Sequence, residues 1–256
     1  MRFLQNFRFT STVKNLCALS LISIFLFAGV VMAKDFWETK PFDQWSQKEC
    51  QKMLTDSPWA KELELVGRNV EMGSSAVSTD SRAPYIKYTA QLRSAAPLRQ
   101  AVVRQLQIVN KYDSLPDDQK QAFSQNTDSF LLGPPSEFVV VNIQYESNIV
   151  DHNRDLNRYW ETQTTDVLKN SVYLSGSKGV KVPLSQFVPG AVNSQEFQFV
   201  FPREVDGKEI LKPGDKALQL EFAYPVIKYQ GYDLGDGRAF IEFKADKIKI
   251  NNEFIY

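Results

Sequence analysis

His152 is the chain's one histidine, and it stands between Asp151 and Asn153. A Ser-His-Asp triad would have to use it, because that chemistry needs an imidazole to take the serine proton. No G-x-S-x-G elbow accompanies it, so a capping or surface histidine at a helix start is the expected role. A histidine-based zinc site is no better served. H-E-x-x-H is absent, and one histidine with one cysteine past residue 33 is too few. No C-x-x-C, P-loop or G-x-G-x-x-G is present, so no cofactor and no metal are expected. The chain has 30 acids, and two carboxyl groups can hydrolyse a glycosidic bond without histidine. Which two would meet is a property of the fold, and no catalytic residue is assigned. Asp233-Leu234-Gly235-Asp236-Gly237 offers oxygen ligands of the kind calcium takes. It lacks the alternating run of acids, and a plain turn is expected there.

Binding leaves more candidates than catalysis does. Trp37, Trp45 and Trp59 are three of the four tryptophans, and all fall between Asp35 and Leu63. They suit either a ligand-binding surface or a structural anchor. Ser46-Gln47-Lys48-Glu49 has the S-x-x-E spacing of a capping box, with Trp45 at N′ and Cys50 at N4 as a hydrophobic staple. Ser57-Pro58 reads as the restart of a helical turn, with Trp59 and Leu63 on one face. Phe36 and Trp37 stand in an extended lead-in to Pro41. Arg93 and Arg99 flank the start of a helix opened by Pro97. A helix N-terminus with arginines nearby can hold an anion, and solvated arginines with local carboxylate partners are the plainer alternative.

The same stretch carries a resemblance. Phe36-Trp37, Lys40-Pro41, Gln44-Trp45-Ser46 and Asp56-Ser57-Pro58-Trp59-Ala60 resemble the start of a group of uncharacterised exported bacterial proteins, met especially among acidobacteria. Ser94-Ala95-Ala96-Pro97-Leu98-Arg99-Gln100-Ala101 resembles the group's second landmark, a Ser-Ala-x-Pro-x-Arg-Gln-Ala run. The resemblance implies export and supplies no activity.

Residues 1–33 read as a secretory signal peptide. Arg2, Arg8 and Lys14 make an acid-free positive leader, Leu16 to Met32 is apolar, and Val31-Met32-Ala33 offers small residues for cleavage. An uncleaved anchor is the alternative, since the run approaches bilayer length. Cys17 lies inside the apolar run, and Lys34 rather than a cysteine stands directly after the cleavage site, so no lipobox is present. The expected location is periplasmic or extracellular, with no membrane span in the mature chain. About 220 residues then remain, enough for a real core. Three basic residues and no acids leave with the leader, giving the rest a slight acidic excess. No basic run suggests nucleic acid. Cys50 is left without an internal disulfide partner and is expected to be a small buried side chain.

The elements that must position these residues follow from periodicity. Tyr85–Leu92 alternates, with Ile86, Tyr88, Ala90 and Leu92 on one face, and Phe138–Tyr145 alternates with Val139, Val141, Ile143 and Tyr145. Helices are expected from Pro97, with Leu98, Val102, Leu106 and Val109 on one side, and from Pro116, with Phe123, Phe130 and Leu131. A third long helix, capped by Asp151, should carry Leu156, Tyr159, Trp160, Gln163 and Val167. Short strands with turn signals between them fill the rest, at 172–174, 180–182, 197–201, 217–224, 239–245 and 248–256. Gly67–Ala83 reads as a surface loop. The class is α+β, with N-terminal helices packed on a mainly antiparallel sheet and a β-sandwich-like C-terminal part. Residues 34–256 are expected to be one domain, and a sub-boundary near residue 137 is the runner-up. Ile248, Ile250, Phe254 and Tyr256 alternate as an outer-membrane barrel strand would, but the strands are too few and short for one.

The leading functional expectation is an exported, non-enzymatic protein that binds a protein or glycan partner or helps assemble the cell envelope. The alternative is a carboxylate-based hydrolase of envelope or extracellular glycans.

Overall fold

The computed structural model describes residues 35–69, 83–133, 137–178, 181–229 and 232–256. The leader, most of the Gly67–Ala83 loop, Pro134-Pro135 and part of the turn before residue 181 lie outside the described residues. The chain divides into two units, Met1–Thr39 and Lys40–Tyr256. In the first, the described residues make one helical turn, α1 (Phe36–Thr39), where the Phe36 and Trp37 rings meet edge to face at 5.0 Å.

The second unit opens with a short 3-10 turn and α2 (Gln47–Thr55). The capping box forms. Glu49 N donates to Ser46 Oγ at 3.3 Å, and Ser46 N donates to Glu49 Oε2 at 2.7 Å. The Lys40 ammonium, 2.8 Å away, and then the Ser46 amide and hydroxyl pull the Glu49 carboxyl from 4.5 down to about 2. A depressed carboxyl stabilises the fold above its unfolded value, so this contribution is present above pH 4.5 and is lost as pH falls towards 2. Ser46→Ala is expected to cost about 1 kcal/mol at neutral pH. Urea unfolding checks this, and a variant as stable as the parent would show that the cap contributes nothing.

Ser57-Pro58 does not restart a helix. Ser57 Oγ donates to Met53 O at 2.7 Å, and the chain turns through a Ser57–Ala60 bridge into β1 (Ala60–Val66). Lys61-Glu62-Leu63-Glu64-Leu65 alternates with a period of two, and that pattern overrides the N1 preference of proline. Next come β2 (Arg68–Asn69) and β3 (Tyr85–Leu92), the helices α3 (Ala96–Val109) and α4 (Asp117–Leu132), and β4 (Phe138–Ser147). The helices α5 (Val150–Glu161) and α6 (Thr165–Leu168) lead to β5 (Tyr173–Gly176), β6 (Lys181–Pro183), β7 (Gln186–Pro189) and β8 (Glu196–Pro202). The minor hairpin β9 (Glu204–Val205) and β10 (Lys208–Glu209) precedes β11 (Ala217–Ala223), β12 (Ile227–Tyr229), β13 (Tyr232–Leu234) and β14 (Arg238–Lys244). The chain closes with β15 (Lys249–Ile250) and β16 (Glu253–Phe254).

The fold is α+β. Two antiparallel sheets, ordered β1-β3-β4-β8-β7 and β14-β11-β5-β6, face each other. Their alternating apolar residues make the core. Ile86, Tyr88, Ala90, Leu92, Val139, Val141 and Ile143 are all fully buried, as expected. Tyr88 and Phe199 each lie 5.6 Å from Phe222 on the opposing sheet. Trp160 of α5 enters this aromatic layer, 4.1 Å from Phe197. The five-stranded sheet draws β1 and β3 from before residue 137 and β4, β7 and β8 from after it.

The helices differ from expectation in detail. In α3 the buried side is Leu98, Ala101 and Val103, while Leu106 and Val109 are exposed. In α4 none of the residues is buried. The third helix stops at Glu161, and Thr164, whose hydroxyl accepts the Val167 amide, starts α6 anew. A threonine that bonds local backbone competes with helix continuation. Ile149 stands at the N-cap of α5, with Asp151 in the first turn. Residues 248–256 are not one closing strand, because Asn251 and Asn252 take positive φ and fold β16 back on β15. Among the described residues no helix is long and apolar enough to cross a membrane.

Candidate functional site

A strand that gives alternate residues to the sandwich must present the others on its outer face. In the middle of the five-stranded sheet these are polar, while Val140, Val188 and Val200 continue the same face on one side. Register places Glu62, Thr89, Gln144 and Glu196 in one row across β1, β3, β4 and β8. Gln91, Asn142 and Gln198 form the next row on one side, and Glu64, Lys87 and Glu146 the next on the other. Four strands at ~4.8 Å spacing make the row about 14 Å long. Gln51 and Thr55 of α2 overhang it, and Ser194 and Gln195 before β8 close the far side, leaving a cleft of about 420 Å³.

Buried amides hold the floor together. Gln91 and Asn142 are almost completely buried. Gln91 Nε2 donates to Leu54 O at 2.7 Å, which ties the sheet to α2. Asn142 Nδ2 and Gln144 Nε2 both donate to Glu196 Oε2, at 3.3 and 3.4 Å. Arg93 Nε donates to Gln91 Oε1 at 2.9 Å. Burial pulls the Arg93 guanidinium below its ordinary value, and the charge of Glu196 opposes this. At the other end of the cleft, Lys87 Nζ lies 2.7 Å from Glu146 Oε1 and 3.6 Å from Glu62 Oε1. The Glu146 bond raises the Lys87 ammonium above its ordinary 10.5. The cleft therefore offers three carboxylates, one lysine already paired, and a series of amides and hydroxyls. Polar groups in such a setting are costly to bury unless they are paired. They can exchange hydrogen bonds with hydroxyl or amide groups of a ligand.

The residues singled out from the sequence stand elsewhere, except Arg93, which is bonded to Gln91 at the edge of the amide floor. Arg99 Nη1 donates to Phe130 O at 3.2 Å and Gly133 O at 3.1 Å, closing the end of α4. The two arginines thus have separate partners and do not converge on the start of α3. Trp45 and Trp59 are 1% exposed, and their indole N–H groups donate to Lys40 O at 3.0 Å and Ile255 O at 2.6 Å. Trp37 belongs to the first unit. Cys50 is fully buried, and burial raises its thiol pKa above the ordinary 9.0. In the Asp233–Gly237 stretch, Asp236 Oδ1 accepts the Arg238 amide and the Tyr224 hydroxyl. Among the described residues no group of three or more His, Cys, Asp or Glu is placed to hold a metal.

His152 is neither a surface nor a capping residue. It is buried, because His152, Leu156 and Trp160 stand at i, i+4 and i+8 and form the buried stripe of α5. That spacing was present in the sequence. So was the polar half of each alternating strand, Lys87-x-Thr89-x-Gln91 and Asn142-x-Gln144-x-Glu146, which is the signal for the cleft floor. No family model, curated protein or solved structure matches the chain.

Proposed function

We propose that the chain is an exported, non-enzymatic binding protein that takes a hydroxyl-rich ligand of the cell envelope, a glycan, into the cleft over Glu62, Thr89, Gln144 and Glu196. The observation that carries this reading is the set of polar rows on the outer face of the five-stranded sheet, across β1, β3, β4 and β8. Its amides and carboxylates lie side by side under α2, where apolar residues would have sealed helix to sheet. Carboxylate and amide pairs suit sugar hydroxyls, which both donate and accept. Lys87 is already matched by Glu62 and Glu146, so the cleft disfavours anions. The leader-like first 33 residues, and the resemblance to exported bacterial proteins, support export.

Calorimetric titration of the chain with neutral oligosaccharides and soluble peptidoglycan fragments tests this. Gln144→Leu removes a charge-assisted bond partner from the floor and is expected to weaken binding about 10-fold to 100-fold. A parent chain that binds none of these probes would overturn the glycan reading. Unchanged affinity in Gln144→Leu would move the site out of the cleft.

A second reading rests on the carboxylates. Glu62, Glu146 and Glu196 line one cleft, and Glu62 and Glu146 share one ammonium. Hydrolysis through two carboxyl groups needs such proximity. Release of reducing ends that disappears in Glu196→Gln or Glu146→Gln would replace binding by hydrolysis.

A further inference from the structure

Four strands end the two facing sheets, β1 and β7 in one and β14 and β6 in the other. An edge strand offers unpaired backbone groups to any second strand, and folds commonly blunt such edges with proline, shortness or charge. β6 has three residues and ends at Pro183, and β7 ends at Pro189. Leu92 N donates to Trp59 O, so in register β1 turns the backbone of Glu62 and Glu64 outward, and both carry negative charge. β14 has seven residues, no proline, and Phe240 at 67% exposure.

The hydrogen bonds of β14 show which of its groups are in use. Tyr224 N donates to Gly237 O, and Ala245 N donates to Lys216 O. In that register Ala239, Ile241 and Phe243 turn their backbone groups to β11, while Arg238, Phe240 and Glu242 turn theirs away from it. The Arg238 amide donates to Asp236 Oδ1 at 3.2 Å. Among the described residues the amides of Phe240 and Glu242 and the carbonyls of Arg238 and Phe240 have no backbone partner. β1 runs near β14, but no backbone hydrogen bond joins the two. The side chains of Arg238, Phe240 and Glu242 are exposed on the outer face of the sheet, and those of Ala239, Ile241 and Phe243 are buried on the inner one.

We propose that β14 pairs antiparallel with β14 of a second copy of this chain, about a two-fold axis at Phe240, so that two four-stranded sheets become one. The axis follows from side-chain charge. Three centres match the outward-turned groups and pair five or more residues of β14: Phe240, Ile241 and Glu242. Centring on Ile241 sets Arg238 against Lys244, and centring on Glu242 sets that carboxylate against itself. Like charges directly opposite are destabilising. Centring on Phe240 sets Arg238 against the second copy's Glu242 at both ends and brings the two Phe240 rings together. The Phe240 amide then meets the Phe240 carbonyl across the axis, and the Glu242 amide meets the second copy's Arg238 carbonyl. Arg238 Nη1 is bonded to Glu221, and the guanidinium has further donors for the incoming carboxylate. This edge belongs to the sheet opposite the cleft, so the pairing does not rest on the glycan reading.

One strand pair is a small interface, and half-association is expected at about 1–100 µM. Sedimentation velocity of the chain purified from an exporting host, in a dilution series across that range, measures it. Phe240→Lys sets two ammonium groups across the axis and should raise the midpoint about tenfold or more. Phe240 is exposed, so this change leaves the core alone. Added cysteines then read the register, with the parent and its own cysteines as the blank. Opposed residues of a hydrogen-bonded pair have Cα atoms about 5.5 Å apart, within disulfide reach, so Phe240→Cys should cross-link under mild oxidation. In Glu242→Cys the two thiols would stand about 13 Å apart along the strands and should stay free. A parent monomeric throughout the series, a midpoint unmoved in Phe240→Lys, cross-linking through Glu242→Cys instead of Phe240→Cys, or growth past the dimer would each overturn the proposal.

Discussion

Trp160→Ala is expected to lower stability by about 4 kcal/mol, a fall in Tm of roughly 8–16 °C for a chain of this size. Trp160 is 2% exposed and brings a helical side chain into the aromatic layer between the sheets. Its ring lies 4.1 Å from Phe197, 6.4 Å from Phe199 and Phe222, and 6.4 Å from Tyr88. Alanine would leave a cavity bounded by both sheets and α5, and flat aromatic rings cannot collapse to fill it. Trp160→Phe provides the contrast. The indole nitrogen makes no well-formed hydrogen bond among the described residues, so phenylalanine chiefly loses contact area and should cost less than half as much. Thermal melts of the two variants beside the parent decide the matter. An alanine variant melting within about 2 °C of the parent would mean that the sheets pack without this residue.

The second large effect is expected at Asp215, which is 9% exposed and ties two loops together. Its Oδ1 accepts the Lys178 amide at 2.7 Å and the Ser177 hydroxyl at 3.1 Å, and its Oδ2 accepts the Lys212 amide at 2.7 Å. The fit is close enough to require glycine opposite: a Cβ on Gly176 would lie 2.7 Å from Asp215 Oδ2 and 2.5 Å from Ile210 O. Asp215→Ala would leave two backbone amides without their acceptor, at a cost of about 2–4 kcal/mol. Burial pushes this carboxyl up, but the Lys212 and Lys178 amides and the Ser177 hydroxyl outweigh it and leave the pKa below the ordinary 3.8. The stabilisation is therefore complete above pH 3.8 and is lost as pH falls through the depressed value. Urea unfolding of parent and Asp215→Ala should show a gap at neutral pH that narrows in acid. A gap that stays constant down to about pH 2 would show that the charge is not what matters.

How much of this was legible in the sequence depends on the range of the interaction. The capping box of α2 lies within four residues, and it forms as its spacing requires. The buried faces of β3 and β4 need only a period of two, and both are as expected. β1 was hidden by Pro58, whose helix-start signal is local, while the pairing of Ala60–Val66 with β3 is not. The strands β12 and β13 have three residues each, too few to show a period. The cleft floor is the furthest from view. Its four members, Glu62, Thr89, Gln144 and Glu196, become neighbours only when the register of four strands is known. His152 was misplaced for another reason: its polar neighbours outweighed the i+4 and i+8 positions that bury it.

Trp59 Nε1 donates to Ile255 O across 196 positions of sequence. The sheet order β1-β3-β4-β8-β7 likewise cannot be completed before residue 202 exists, nor the other sheet before residue 244. Pairings this distant slow folding, because loop closure comes before the contacts that compensate for it. On the ribosome the consequence is an order of events. Trp59 emerges early and waits, without its carbonyl partner, until nearly two hundred further residues have been made. The core between the two sheets therefore closes only when most of the chain has been made.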